Sequence, residues 1–123
     1  MLWRLWSPNW QFDDATFDRT AAAFDNPDFV EVVIHSYRHR FKAAPGDPAL
    51  EAIEQQLAQQ PKIAVPTVVL QGACDGVDLP AESEDAHRFF TGSFTRRVIP
   101  IAGHFLPREA PAAVIAAVTN ELD

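Results

Sequence analysis

Two short apolar runs, each ending in a chemically capable side chain, constrain this chain more than anything else in it. V-P-T-V-V-L-Q-G-A-C-D runs from Val65 to Asp75, and V-I-P-I-A-G-H-F runs from Val98 to Phe105. Val68, Val69 and Leu70 follow Pro66 as a continuous apolar stretch, the pattern of a strand buried on both faces in a parallel sheet flanked by helices. T-R-R-V-I-P-I reads as a second strand. Between the two, A-E-S-E-D-A-H-R-F-F predicts a helix that buries Ala86, Phe89 and Phe90. After them, A-P-A-A-V-I-A-A-V-T-N-E-L predicts a closing helix with Pro111 near its first turn and Val114, Val118 and Leu122 on one face. The order β-α-β-α requires a right-handed parallel crossover and places the chain in the α/β class.

The preceding residues carry helical signals only. D-D-A-T-F-D-R-T-A-A-A-F begins with a cap-competent Asp13 or Asp14 and sets Phe17, Ala21 and Phe24 on one face. Asn26 followed by Pro27 predicts the start of a second helix, with Val30, Val33, Ile34, Tyr37 and Phe41 at helical spacing. Asp47 and Pro48 repeat the device for a third, with Leu50, Ile53 and Leu57 as its buried face and Pro61 as its end. The chain thus divides into a helical segment, 1–62, and a β-α-β-α segment, 63–123. No internal repeat or low-complexity tract interrupts it.

Composition narrows the function classes. A chain of 123 residues suits one compact domain, and its net charge of −7 argues against a nucleic-acid binder or an anionic-membrane binder. Cys74 is the single cysteine, so neither an intrachain disulfide nor a cysteine metal site can form. A reducing, cytoplasmic setting fits. No apolar run approaches the ~20 residues of a membrane span, and the first residues do not read as a signal peptide. Those residues are nonetheless apolar: Leu2, Trp3, Leu5, Trp6 and Trp10 demand cover, and the tryptophans read as packing anchors.

Open parallel sheets carry their chemistry at the carboxyl ends of the strands. Asp75 sits just past one such end and His104 just past the other, so adjacent strands would bring both to one edge. An aspartate that orients an imidazole, leaving the other ring nitrogen to act as a base, is two-thirds of a Ser-His-Asp triad. Read singly, Asp75 is a turn-forming aspartate and His104 a histidine bonded to backbone. Their joint placement favours the pair. Asp78 is the competing acid, further from the strand end. Cys74 reads as inert, because a neighbouring carboxylate disfavours a thiolate. His35 and His39, four apart on a helix with Arg38 and Arg40, read as a solvated basic face rather than a metal site, and His87 reads as exposed.

P-T-V-V-L-Q-G-A-C-D, followed by I-A-G-H-F-L-P-R-E-A-P, resembles the C-terminal part of an α/β-hydrolase, in which nucleophile, acid and histidine occur in that order. The resemblance implies Asp75 as the acid, His104 as the base, the first three helices as a lid-like segment, and no cofactor or metal. It also implies a small-molecule substrate with an ester, amide or related bond. The run N-P-D-F-V-E-V-V-I-H-S-Y-R-H-R is similar to one subgroup of these hydrolases. The sequence departs from the family in having no G-x-S-x-G elbow: Ser7, Ser36, Ser83 and Ser93 all lack its flanking glycines. The expectation is therefore a fragment, roughly the second half of a serine-type hydrolase, inactive alone. An unpaired sheet edge then predicts a homodimer or a missing N-terminal half. An aspartate nucleophile would make the parent a dehalogenase or an epoxide hydrolase. The competing class is a non-catalytic interaction module, or one half of a split or domain-swapped assembly.

Overall fold

A computed structural model describes residues 1–120, in two compact units. One comprises Gln11–Gln60; the other joins Met1–Trp10 to the residues from Pro61 onward. No helix among the described residues is long and apolar enough to cross a membrane.

The Gln11–Gln60 unit is helical. α2 (Asp14–Ala21), the second helix of the chain, runs on into a 3-10 turn, Ala22–Asp25. Asp13 caps α2, its carboxylate accepting from Thr16 N at 2.8 Å. α3 spans Phe29–Arg40. It opens later than the Asn26–Pro27 signal predicts, because Pro27 and Asp28 form a turn: Asn26 Oδ1 accepts from Asp28 N at 3.0 Å, and Asn26 O accepts from Phe29 N at 2.9 Å. Asp47 caps as expected, accepting from Ala49 N at 2.9 Å, but the first turn, Pro48–Leu50, is 3-10 before α4 (Glu51–Ala58) begins.

The other unit begins with α1 (Leu2–Trp6) and is built on β1 (Thr67–Gly72) and β2 (Phe94–Ile99). The strands are parallel, as the β-α-β pattern requires, with Thr67 opposite Phe94 and Gly72 opposite Ile99. Ile63 and Phe90 add an isolated parallel bridge upstream. The crossover is a 3-10 helix, Pro80–Phe89, rather than the predicted α-helix; Ala86, Phe89 and Phe90 are half-buried. Arg96 of β2 fastens it, Nε donating to Ser83 Oγ at 3.0 Å and a guanidinium N–H to Pro80 O at 2.6 Å. After β2 come α5 (Leu106–Glu109) and α6 (Pro111–Asn120). Val114 of α6 is half-buried and Ala117 buried, whereas Val118 is exposed; Leu122 lies outside the described residues.

Burial departs furthest from the sequence pattern. Among the described hydrophobic residues only Ala102 and Ala117 are buried. Phe17, Phe24, Val30, Ile34, Tyr37, Phe41, Leu50, Ile53 and Leu57, predicted as buried faces, are all exposed. The stripes are present but stay largely open to solvent, even where Phe24 packs on Phe29 at 4.8 Å between ring centroids. β1 is half-buried along Thr67–Leu70 rather than covered on both faces.

The chain between β2 and α5 is closely constrained. Ile101 adopts φ 70°, a left-handed conformation that disfavours a β-branched residue by about 1–3 kcal/mol. Gly103 is buried, and a Cβ there would meet Ser7 Cα at 2.6 Å. Two nearby substitutions should therefore reverse the usual order. In urea unfolding, Gly103→Ala is expected to lose about 1–3 kcal/mol through backbone overpacking. Ile101→Gly, at a side chain 70% exposed, is expected to change stability by less than about 1 kcal/mol, because relief of the strained φ offsets glycine's entropy cost.

Candidate active site

β1 ends in Gln71 and Gly72, both buried, and the chain turns through Ala73 and Cys74 to Asp75. Gln71 supports this turn from below, its amide donating to Gly72 O at 3.2 Å and to Asp78 O at 2.9 Å. Asp75 Oδ1 accepts from Val77 N at 2.8 Å and from Asp78 N at 3.0 Å, a local turn of the type short acidic side chains favour. The aspartate is thus fixed by its own loop before any partner is considered.

His104 meets it from the second strand. Its Nδ1 lies 3.1 Å from Asp75 Oδ2 and 3.2 Å from Oδ1. The Asp75 side chain is 8% exposed and the imidazole 30% exposed. Burial pushes the Asp75 carboxyl up, but the N–H groups of Val77 and Asp78 and the bond and charge of His104 together hold it below the ordinary carboxylate value. An ionised carboxylate only accepts, so Nδ1 carries the shared proton, and in a neutral imidazole Nε2 is then the nitrogen with the lone pair. Asp78 stands 3.9 Å from Nδ1 and is largely exposed, which leaves Asp75 the closer acid.

Main-chain bonds hold the two loops together. Cys74 N donates to Ala102 O at 2.9 Å, and Ala73 N to Ile99 O at 3.0 Å. The N-terminal segment supplies the rest. Trp6 O accepts from both Gly76 N, at 3.0 Å, and His104 N, at 3.1 Å. Trp6 also sets its ring edge-on to the imidazole at 5.5 Å, while Trp3 and Trp10 pack on Phe105 at 5.6 and 5.4 Å. The tryptophans are therefore packing partners of the histidine loop. Ser7 and Glu109 complete the arrangement, with Ser7 Oγ donating to Glu109 Oε1 at 2.6 Å.

Sequence reasoning missed Trp6 O, Ser7, Gln71 and Glu109 as site-supporting groups. Glu109 stands in the quoted run L-P-R-E-A-P, but its bond to Ser7 spans 102 positions, and no local spacing rule reports such a contact.

The other candidates lie elsewhere or are engaged. His35 and His39 face each other at 6.3 Å between ring centroids and line a groove between α3 and α4 with Arg40, Lys42, Asp47 and Glu51. Cys74 is half-buried, and His87 is exposed. Donor atoms of Asp75, Asp78 and His104 lie within 4.8 Å of one another, a spacing a divalent cation can bridge. Nδ1 is already committed to Asp75, so a cation there would compete with the pair.

Comparison with known proteins gives one detailed likeness. Over 98% of its length the chain matches a crystal structure of a "putative epoxide hydrolase" from Klebsiella pneumoniae subsp. pneumoniae, with 43% sequence identity and a TM-score of 0.89. This chain is similar to a hydrolase. It spans 40% of that protein's length. No protein-family model matches the chain, and no curated protein does.

The depressed Asp75 pKa has a measurable sign. A carboxylate titrating lower in the folded than in the unfolded chain stabilises the fold above its ordinary value of 3.8. That contribution declines as pH falls through the folded value. Asp75→Asn is expected to be less stable than the unaltered protein near neutral pH, with the gap closing under acid. Urea unfolding from pH 7 to pH 2 measures it; a gap independent of pH would contradict the assignment.

Proposed function

We propose that this chain supplies the acid and the base of a hydrolase active site. His104 is the general base, and Asp75 orients it and stabilises the imidazolium. The observation that carries this reading is the contact of His104 Nδ1 with a nearly buried carboxylate, which leaves Nε2 as the basic nitrogen on a partly exposed ring. Where the nucleophile is a hydroxyl, Nε2 takes its proton as it attacks the substrate carbon; where it is a carboxylate, which has none to give, Nε2 takes the proton of the water that attacks the carboxyl carbon of the resulting ester. The imidazolium then returns that proton to the departing oxygen.

The nucleophile comes from residues other than these. Ser7 is fully buried on Glu109, Ser36 Oγ donates to Val33 O, and Ser83 Oγ donates to Pro80 O. None of the four serines lies in a G-x-S-x-G elbow. The substrate is a small molecule with an electrophilic carbon. Likeness to a protein described as an epoxide hydrolase favours an epoxide over an ester or amide, and with it a carboxylate rather than a serine as nucleophile. The reaction needs no cofactor.

A chimaera tests this. The present chain would replace the matching 40% of the Klebsiella protein, and turnover of styrene oxide and of p-nitrophenyl acetate would be measured. Epoxide turnover is expected, falling about 10²–10⁴-fold with His104→Ala and also reduced with Asp75→Asn. A folded, active chimaera indifferent to His104→Ala would sink the proposal, and turnover of the ester alone would restore the serine reading. The chain by itself is expected to hydrolyse neither substrate faster than free imidazole.

A second reading has its own support, the many exposed large apolar side chains of both units. It makes the chain an interaction module that pairs with a second copy or with a complementary half. Light scattering that finds only a 13.7 kDa monomer would remove that support.

A further inference from the structure

We infer that Glu109, working with Ser7, is a positioning residue for His104; the inference rests on reading Asp75 and His104 as an acid–base pair. Glu109 does not touch the imidazole. It grips the backbone on both sides of it. Oε2 accepts from Gly103 N at 2.8 Å and Oε1 from Phe105 N at 3.0 Å, the residues immediately before and after His104. Ser7, with no exposed surface, donates to Oε1 at 2.6 Å and also accepts from Phe105 N at 3.2 Å.

The intervening N–H, that of His104, goes to Trp6 O at 3.1 Å, so three consecutive donors are taken up by one carboxylate and one N-terminal turn. Trp6 O also holds Gly76 N of the acid loop at 3.0 Å. The brace therefore references both loops to the same peptide group. An ordinary cap would satisfy one end of the four-residue α5 and stop there. This carboxylate instead fixes the backbone on either side of His104, whose placement against the acid loop sets the distance from Nδ1 to Asp75, and small errors in such distances cost function. Its bonds are charge-assisted, the class that holds geometry most firmly.

Glu109→Gln is the informative change. The amide keeps the size and shape but turns one oxygen into a donor. Whichever way it rotates, that donor faces either Gly103 N–H or the Ser7 and Phe105 donors, and at least one bond is lost.

The readout is the low-field proton resonance of His104 Nδ1–H in the 123-residue protein, assigned by its loss in His104→Ala and in Asp75→Asn. In Glu109→Gln the resonance is expected to disappear into exchange, while far-UV circular dichroism and cooperative urea unfolding show the fold retained. An unchanged resonance in folded Glu109→Gln would overturn the inference. If Glu109→Gln does not fold, Ser7→Ala decides. Exchange of the same proton about tenfold faster, as one lost hydrogen bond implies, supports the brace; an unchanged rate overturns it. If the unaltered protein shows no resonance that depends on Asp75, the acid–base pair itself has failed, and the positioning role falls with it.

Discussion

Parallel pairing of β1 with β2 is the constraint on which the rest depends. Both strands deliver their carboxyl ends to the same edge, and Gly72 lies opposite Ile99, so the two following loops leave the sheet side by side. Antiparallel strands would have sent Asp75 and His104 to opposite ends. A register slip of one residue would have broken the bonds of Ala73 N to Ile99 O and Cys74 N to Ala102 O that hold the two loops together. The crossover matters for the same reason: Arg96 ties it to β2, and the parallel arrangement has no short turn to hold it.

A pair of six-residue strands is a slender platform for the Asp75 and His104 loops, and the N-terminal turn compensates. It comes from the far end of the chain and bonds both loops, using a backbone carbonyl, a buried hydroxyl and three indole rings. Close approach is the physical theme. Gly76 and Gly103 let the two loops touch Leu5 and Ser7 main chain, where any Cβ would collide. The strained Ile101 stands two residues before Gly103, consistent with a loop whose course is dictated by its anchors rather than by its own preferences.

The legible and illegible parts of the molecule divide along physical lines. The strands, their parallel sense and the Asp13 and Asp47 caps are local or nearly local properties, and residue pattern reports them well. Asp75 and His104 were readable as neighbours because β-α-β topology dictates that strand ends share an edge. Asn26 misled because an Asn-Pro signal serves a turn as readily as a helix start. The 3-10 crossover was hidden because helical spacing does not distinguish it over one short segment. The stripes of α3 and α4 show a face that asks for cover, and periodicity cannot say whether cover arrives. Ser7 and Glu109 meet through tertiary contact alone, and no spacing in the sequence announces it.

The scarcity of buried hydrophobic side chains has a thermodynamic consequence. Heat capacity of unfolding comes from apolar surface newly wetted when the chain opens, about 12–15 cal/mol/K per residue in ordinary globular proteins. Here Leu50, Ile53, Leu57, Val30 and many others already meet water in the folded state. Opening this chain therefore wets less apolar surface than opening an ordinary globular chain of the same length, and its heat capacity of unfolding is expected to lie below the usual range. The contact of Asp75 with His104 is held by main-chain hydrogen bonds together with the packing of Trp6 on the imidazole.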